Sequence, residues 1–303
     1  MSRDFAAWFR IGHTTWNEDR TGCTVILLDR LAPAWADVRG GAPGTRETDL
    51  LGPGRLVGSA NAILLTGGSA FGLAAADGVM RYLQEGGEGV PTSAGPVPIV
   101  TGAVIFDLAN GIHRSPTADD GYAACLAASS DLPESGKIGA GAGATVAKLG
   151  AQPAQAGGLG VGVASVGETQ IVAIVVLNAA GDIVDPTNGE LLSRLDGIAV
   201  SARPGRAAAI AGGAAGREGE NTTIGAILIG EPVDQLTLAR SAIAAHDALA
   251  RCVVPAHTLF DGDTFFVAAP ARADVAPQRV VAISSAVEVA VERAIVGLFK
   301  SAP

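Results

Sequence analysis

The chain has 303 residues, of which 41 are glycine and 48% are hydrophobic, whereas aromatic residues make up only 4%. The net charge of −9 provides no basic surface for phosphates, which excludes a nucleic-acid-binding protein, and the apolar content excludes an intrinsically disordered chain. Glycine occurs at about twice its usual frequency but without the three-residue period of collagen. The glycine excess therefore needs another explanation.

Short apolar runs alternate along the chain with longer amphipathic segments. The runs are bounded by Gly, Asn, Asp or Pro, and they predict strands at residues 24–28, 62–65, 104–108, 160–166, 170–177, 223–229 and 264–268. Helices are predicted at 70–85, 120–128, 233–251 and 277–299, the last with Asp274 as its cap and Pro277 in its first turn. Because several strands follow one another directly, we expect helices on the outer faces of largely antiparallel sheets.

The cysteines and the N-terminal residues indicate the cellular compartment. Cys23, Cys125 and Cys252 lie far apart and form no CxxC or Cys/His cluster, which argues against disulfides and a zinc site. Charged residues interrupt 1–16, where a signal peptide needs an apolar core, and the glycine-rich stretch 149–167 is a poor membrane span. We therefore expect a soluble, cytoplasmic protein that does not contact a membrane.

The segment 201–221, SARPGRAAAIAGGAAGREGEN, is rich in Gly, Ala and charge and predicts a flexible loop or linker. Thr222 stands where this loop meets the strand predicted at 223–229. A hydroxyl there can attack the preceding carbonyl by an N→O acyl shift, and scission would free an α-amine with an ordinary pKa of ~7.7–8.0. That amine can act as general base for its own hydroxyl. An ordinary Asn-Thr junction between a loop and a strand accounts for the same dipeptide.

The motif Asp261-Gly262-Asp263 comes 39 residues after Thr222 and just ahead of the strand predicted at 264–268. Residues two apart in an extended segment face the same side, so both carboxylates can point at one site. One could bond the hydroxyl or ammonium of the nucleophile while the other holds the first. A calcium loop of the EF-hand type would need a third ligand where Phe265 stands, so that pattern fails. A polar turn before a strand is the plain alternative.

Two further polar residues stand at positions suited to catalysis. Lys148 follows the run GAGAGATVA, so it should lie on a short helix or loop close to the backbone, where its charge could stabilise an oxyanion or lower the pKa of a neighbour. Asn178 ends the apolar strand IVAIVVL, and its side-chain amide could donate to an oxyanion. A solvated surface lysine and a turn-forming asparagine are the alternatives.

Two glycine patterns imitate known motifs. The run 139–144 loosely offers GxGxxA, but no convincing strand leads into it, so a dinucleotide site is not indicated. The run 67–72 is similar to a nucleophile elbow, but Phe71 stands where GxSxG needs glycine. Ser69 is better interpreted as a helix cap beside N–H groups that can bind an anionic or carbonyl oxygen. The four histidines form no recognisable pattern and are predicted to be structural.

Six blocks occur together and in order. They are RGGAPGTRETDLL (39–51), LLTGGSAFGLAAADGV (64–79), PIVTGAVIFDL (98–108), GAGAGATVAKLG (139–150), NTTIGAILI (221–229) and AHDALAR…HTLFDGDTFF (245–266). In these blocks the chain resembles the self-processing aminopeptidase family, which includes L-aminopeptidase/D-esterases, β-aminopeptidases and nylon-oligomer hydrolases. The resemblance runs from about Ile11 to Pro270, which is most of the chain.

The resemblance implies a fold and a mechanism. The fold is expected to be α/β (α+β), a four-layer α/β/β/α sandwich like that of the N-terminal-nucleophile hydrolases with a different connectivity. One hydrolase domain, 1–303, would cut itself into a large subunit, 1–221, and a small subunit, 222–303, by breaking the Asn221–Thr222 bond. Thr222 would be the nucleophile. Asp263 would bond Thr222, Asp261 would back Asp263, and Lys148 and Asn178 would complete the pocket.

Three functions are compatible with this resemblance. The first is an autoprocessed N-terminal-threonine amidohydrolase or aminopeptidase acting on short peptides, amino-acid amides or related linear amides. The second is an endo-type hydrolase of ω-amino-acid oligomers such as 6-aminohexanoate (nylon) oligomers. The third is a non-catalytic binding protein; its only support is Phe106, which stands in VIFD where some members carry a Tyr whose hydroxyl assists at the oxyanion.

The resemblance also implies what the protein binds. The partners expected are a small peptide or amide substrate, its own cleaved fragment and further copies of itself, because relatives assemble as tetramers or larger. No metal or organic cofactor is expected, since an acyl transfer by Thr222 needs none.

Overall fold

The computed structural model describes residues 8–111, 113–149, 153–193 and 221–300, so most of the predicted loop at 201–221 lies outside the described residues. The helices are α1 (Ser69–Gly72), α2 (Ala75–Glu85), α3 (Ala118–Leu126), α4 (Gln235–Cys252) and α5 (Pro277–Val296). The strands are β1 (Phe9–Trp16), β2 (Thr21–Val38), β3 (Thr45–Arg46), β4 (Ser59–Thr66), β5 (Val100–Val104), β6 (Thr145–Val146), β7 (Gln155–Ala156), β8 (Gly158–Val166), β9 (Thr169–Asn178), β10 (Asp182–Ile183), β11 (Thr222–Ile229), β12 (Val253–Val254) and β13 (Thr264–Ala268). Nine of these strands are paired in the order β3-β5-β4-β2-β13-β11-β9-β8, with β1 beside β2, whereas β6 pairs with β7 and β10 with β12.

The long strand β2 joins two layers of sheet. Its first half pairs with β1 and β4, and its second half pairs antiparallel with β13. The register with β4 shifts between Leu27 and Ala32, which marks a bulge, and bulges bend and twist a strand. The bend allows one chain segment to pass from the first sheet (β1 to β5) into the second (β13, β11, β9, β8).

Alternating side chains divide the core into three layers. Between the two sheets, Ile26 and Leu65 of the first pack with Ile174 and Leu228 of the second. The outer face of the first sheet packs on α2 and α3, and the outer face of the second packs on α4 and α5. The order of layers is helix, sheet, sheet, helix, so the predicted α/β/β/α sandwich is confirmed.

Small residues allow α5 to lie close to the second sheet. A Cβ placed on Gly160 or Gly162 of β8 would lie 2.0 Å from the carbonyl oxygen of Ala294 or Ala290, respectively. No side chain fits there, because real Cβ contacts are never so short. Part of the glycine excess is therefore explained by helix–sheet contact.

The strands β11 and β13, which follow residue 221, lie in the middle of the second sheet. β11 pairs antiparallel with β9 on one side and parallel with β13 on the other, and β13 in turn pairs with β2. Strands from the two sides of the Asn221–Thr222 bond are thus interleaved. The largely antiparallel sheet predicted from sequence is confirmed, with parallel pairs at β11/β13 and β4/β5.

The strand predicted at 104–108 and the helix predicted at 70–85 differ from the structure by more than their end residues. The strand predicted at 104–108 is wrong, because β5 covers Val100–Val104 and the chain then leaves the sheet for a turn in which Asn110 N donates to Asp107 O at 3.0 Å. The helix predicted at 70–85 is divided into α1 and α2, since the bonds around Leu73 and Ala74 span three residues rather than four.

Two predicted caps are also wrong. Asp274 does not cap α5, because the N-cap of this helix is Ala276, which directly precedes Pro277. Ser69 is the first residue of α1, and Gly68 is the N-cap, with φ +81°. None of the helices in the described part of the chain is long and apolar enough to cross a membrane.

Candidate active site

Thr222 begins β11 directly opposite the last residue of β9. Its pairing partner across the two strands is Asn178, and paired residues in a sheet project to the same face. That face is the one turned towards the other sheet, because Ile224 and Val176, the next residues on it, belong to the layer between the sheets. Thr222 is 4% exposed and Asn178 is fully buried. The two side chains therefore lie together at one end of the sandwich.

The carbonyl oxygen of Asn221 accepts two hydrogen bonds, one from the Thr222 hydroxyl and one from a backbone N–H. The Thr222 hydroxyl donates to the Asn221 carbonyl oxygen, and the Gly262 N–H donates to the same oxygen at 3.0 Å. Oγ1 of Thr222 thus lies against the carbonyl that an N→O shift would attack. The Gly262 N–H lies where it can stabilise the oxyanion that forms there.

Asp263 is bonded differently from the prediction. It does not bond Thr222; its Oδ1 accepts a hydrogen bond from the backbone N–H of Thr223, one residue further on, at 2.7 Å. Asp263 therefore contacts β11 one residue away from Thr222, and it is buried, with 2% exposure.

Asp261 also has a role other than the predicted one. It does not bond Asp263; its Oδ2 accepts from Thr258 N at 2.8 Å. Two carboxylates cannot hydrogen-bond one another unless one is protonated. Burial, followed by the neighbouring charge of Asp263, raises the pKa of Asp261. The two carboxylates are close, as the DGD spacing predicted, but they influence each other through charge.

Asn178 links three segments of the chain around the nucleophile. Its side-chain amide donates to the Phe106 carbonyl oxygen at 3.1 Å, and its Oδ1 accepts from Thr145 N at 3.0 Å. Lys148 Nζ donates to Oδ1 and to the main-chain oxygen of Asn178, at 2.9 and 3.1 Å. Lys148 lies in a loop, as predicted, and is half-buried. Phe106 supplies a main-chain oxygen, so this contact does not depend on its side chain.

A buried carboxyl group that sequence reasoning missed lies behind this network. Asp107, the residue after Phe106, accepts from Gly68 N at 2.7 Å through Oδ1, and its Oδ2 lies beside the hydroxyl of Thr21. The N–H expected to bind an anion near Ser69 therefore binds the carboxyl group of Asp107. Burial raises the pKa of Asp107 to about 6, although the nearby charge of Lys148 acts in the opposite direction. In the sequence, Asp107 could have been identified from its position as the last residue of the VIFD motif.

His257 contacts one of the predicted site residues, although no histidine pattern was recognised in the sequence. Its backbone N–H and its ring Nδ1 both donate to Asp263 Oδ2, at 3.0 and 2.8 Å. The ring of His246 lies 4.8 Å from it, and burial lowers the pKa of His246 to about 4. His257 thus orients the carboxylate that contacts Thr223. Its place in HTLFDGDTFF, six residues before Asp263, was the signal that could have found it.

The sequence-predicted residues come together from four separate stretches of the chain. Thr222, Asn178 and Lys148 are joined by pairing and hydrogen bonds, and the Asp261–Asp263 turn contacts the Asn221–Thr222 bond through Gly262. In the four described ranges there is no cluster of three or more His, Cys, Asp or Glu side chains that could hold a metal ion. The arrangement offers a hydroxyl nucleophile, hydrogen-bond donors and carboxylates around one carbonyl.

The helix–sheet–sheet–helix sandwich is shared with solved aminopeptidase structures, one of which is described as a variant of the N-terminal-nucleophile hydrolase fold. Over 95% of its length the chain is similar to the L-aminopeptidase D-Ala-esterase/amidase of Ochrobactrum anthropi, described as a prototype of the serine aminopeptidases and a variant of that fold (TM-score 0.72, 17% identity, 82% of that chain). A β-aminopeptidase of Burkholderia sp. has a TM-score of 0.71 at 20% identity, over 95% of this chain and 83% of that one. At these identities the likeness shows the fold alone.

The chain belongs to peptidase family S58, which it matches over residues 8–302. An uncharacterized aminopeptidase of Mycobacterium tuberculosis is 45% identical over 266 residues, covering 85% of this chain and 75% of that protein. A 6-aminohexanoate-oligomer endohydrolase of Paenarthrobacter ureafaciens is 32% identical over 265 residues, covering 84% and 71%. The predicted family is therefore confirmed, and the chain is a hydrolase of the peptidase class.

Proposed function

We propose that this protein is a self-processing amidohydrolase in which Thr222, freed at its α-amine by cleavage after Asn221, removes N-terminal residues from short peptides, amino-acid amides or related linear amides. The contacts at the Asn221 carbonyl support this more than any other observation. The Thr222 hydroxyl lies against that carbonyl group, and Gly262 N donates to its oxygen from the other side.

The proposed self-cleavage is an acyl shift followed by hydrolysis. Oγ1 of Thr222 forms a bond to the carbonyl carbon of Asn221, and the oxygen of that carbonyl takes up negative charge facing Gly262 N. The C–N bond then breaks, and the hydroxyl proton passes to the leaving nitrogen. Water hydrolyses the resulting ester, so that Asn221 gains a carboxylate and Thr222 gains a free amine.

The free amine then takes part in the reaction on substrates. It lies next to the Thr222 hydroxyl and can accept its proton as the hydroxyl attacks an amide carbonyl. Asp263 lies one residue away and is oriented by His257, so it can hold the ammonium form. Asn178 and Lys148 are the proposed groups on the oxyanion side, and water clears the acyl-enzyme. No step requires a cofactor.

The two fragments are expected to remain together after cleavage. Residues 222–303 would supply β11 and β13, which lie between β9 and β2 of the other fragment. Separation of the two fragments would expose the apolar layers on both faces of the second sheet to water. The hydrophobic effect strongly disfavours this exposure. The fragment 1–221 is therefore the proposed permanent partner of 222–303.

Intact mass spectrometry of the purified protein tests self-cleavage. Cleavage at Asn221–Thr222 gives fragments of 221 and 82 residues, which at 30.2 kDa for 303 residues correspond to about 22 and 8 kDa. Thr222→Ala should leave one intact chain without amide turnover. The matched control is Thr223→Ala, since Thr223 is the buried neighbour whose backbone N–H bonds Asp263 and whose hydroxyl has no partner among the described residues. Amide hydrolysis by Thr222→Ala would refute the assigned nucleophile.

The second candidate is an endo-type hydrolase of ω-amino-acid oligomers. The 6-aminohexanoate-oligomer endohydrolase of Paenarthrobacter ureafaciens, 32% identical across 84% of this chain, favours it. Incubating one processed preparation with a dipeptide amide and with a 6-aminohexanoate oligomer separates the two, because only the second candidate releases internal fragments of the oligomer. A chain that stays uncleaved on long incubation and turns over neither substrate would be a binding protein. Cytoplasmic location and assembly into a homo-oligomer remain predictions.

A further inference from the structure

A cavity of about 330 Å³ opens beside the candidate active site. Its walls come from the β1–β2 turn, from the loop that leads to β6, and from β7. Its volume is at the lower end of the range typical of small-molecule sites, ~300–1,000 Å³. The polar and charged residues in its lining include Arg20, Lys137, Asn110, Thr145 and Gln155.

The charge on the walls of this cavity is positive and uncompensated. Arg20 and Lys137 both line it, and none of the described residues that line it is acidic. Arg20 has no hydrogen-bond or ion-pair partner in the described part of the chain, although its neighbour Asp19 pairs with Arg114 at 3.3 Å. Burial lowers the pKa of Lys137, and the charge of Arg20 lowers it further. Because Arg20 and Lys137 are two positive charges on one concave surface, an anion bound in the cavity would be attracted by both.

The cavity also contains hydrogen-bond donors that are suited to an anion. Lys137 uses one of its three N–H donors on the carbonyl oxygen of Ala144, which leaves two for a ligand. Gln155 adds a neutral amide to the same walls, whereas the Thr145 hydroxyl already donates to Asn178 Oδ1 at 3.4 Å. A planar carboxylate can accept two hydrogen bonds from an arginine and a third from a lysine, so it suits this set of donors.

A hydrogen bond and a strand pairing connect the wall of the cavity to Thr222. Thr145, which forms part of its wall, donates from its backbone N–H to Asn178 Oδ1 at 3.0 Å. Asn178 is the direct cross-strand partner of Thr222, and the Cα atoms of such partners lie about 5 Å apart. An extended substrate advances ~3.3 Å per residue. A substrate of two or three residues whose amide lies at Thr222 therefore reaches the cavity with its far end.

We propose that this cavity, with Arg20 and Lys137 as its charged donors, binds the free C-terminal carboxylate of a short linear amide substrate. The proposal rests on the function proposed above, because it takes Thr222 as the point of attack. This carboxylate would be the C-terminus of the leaving group, which is the part of the substrate released when the amide bond is cleaved. The enzyme would then favour short chains with a free carboxylate over the same chains ending in a carboxamide.

Ligand binding tests the cavity independently of turnover. The probes are N-acetyl-alanyl-alanine and its C-terminal carboxamide, titrated calorimetrically into the purified protein and into Arg20→Gln and Lys137→Gln. We expect the carboxylate to bind at least tenfold more tightly than the carboxamide, and each substitution to weaken carboxylate binding about tenfold. Arg240→Gln is the matched control, because Arg240 is an exposed arginine on α4 with no role in this cavity.

Kinetics give the second readout. The ratio of kcat/KM for a free alanine tripeptide to kcat/KM for its carboxamide should fall about tenfold in Arg20→Gln and stay constant in Arg240→Gln. Equal binding of the two probes by the unaltered protein, or an unchanged preference in both cavity variants, would overturn the proposal. If the probes bind as expected but neither tripeptide is hydrolysed, the anion site stands and the proposed function fails.

Discussion

Replacing Gly262 by alanine perturbs the proposed self-cleavage with a single methyl group. A Cβ at this position would lie 2.8 Å from Oγ1 of Thr222, 3.0 Å from the carbonyl oxygen of Ala42 and 3.2 Å from Cγ2 of Thr222. The backbone N–H that donates to the Asn221 carbonyl oxygen is kept. The substitution therefore acts mainly on the position of the nucleophile rather than on the oxyanion donor.

The size of the effect follows from these distances. Ordinary contacts of a Cβ begin at about 3.4 Å, so the Thr222 hydroxyl must move away by about 0.6 Å. A misplacement of ~1 Å can reduce the rate of a positioned reaction ~100-fold, so a shift of this size should slow self-cleavage about tenfold. Overpacking of this kind also costs about 1–3 kcal/mol of stability, which a protein of this size can lose and still fold.

The assay is the time course of cleavage after a pulse of cell-free synthesis. The intact chain and the two fragments are quantified on a gel, and the melting temperature of each product shows whether it has folded. Gly86→Ala is the matched control, because Gly86 has φ −77° and the nearest atom to an added Cβ is 3.4 Å away. Cleavage of folded Gly262→Ala at the wild-type rate, or equal slowing in both variants, would refute the reasoning.

Three further predictions follow from individual groups. Lys148→Met removes both hydrogen bonds to Asn178 and should lower kcat/KM about 100-fold, whereas Lys300→Met, on the surface, should change it less than twofold. Because burial raises the pKa of Asp107 to about 6, the stability that its protonated form contributes is present below pH 4 and is lost as the pH rises through 6. The melting temperature of Asp107→Asn should therefore fall less between pH 4 and pH 7 than that of the wild type. The difference should correspond to at most ~3 kcal/mol of unfolding free energy. Burial raises the pKa of all three cysteines to about 12, so iodoacetamide should add no mass to the native protein at pH 8 and three adducts after denaturation.

The layers of the fold were predictable from sequence where apolar runs were continuous. Strands such as β9 and β11 are buried on both faces, so they appear as unbroken aliphatic segments. The strand β1 was missed because five of its eight residues are only partly buried. The second half of β2 was missed because Ala32, Pro33 and Ala34 have low strand propensity, and its pairing with β13 overrides that propensity.

The site was predictable in its residue types and not in its contacts. The adjacent pair Asn221–Thr222 and the DGD turn are local signals that a sequence contains. The pairing of Asn178 with Thr222 depends on the register of two strands more than 40 residues apart along the chain, which no local pattern fixes. His257, whose ring contacts Asp263, has a left-handed backbone with φ +54°, and such a conformation is uncommon for residues other than glycine.

The proposed cleavage at Asn221–Thr222 gives the interleaving of β11 and β13 with β9 and β2 a consequence for the lifetime of the protein. The uncut chain can refold as one molecule, whereas after the proposed cleavage refolding would require two fragments to meet. Unfolding would then lead to an assembly reaction whose rate depends on concentration, in competition with aggregation of separate apolar strands. The lifetime of the proposed cleaved form should therefore be set by its unfolding rate, and dilution should make its heat inactivation irreversible while the uncut Thr222→Ala chain still recovers its fold.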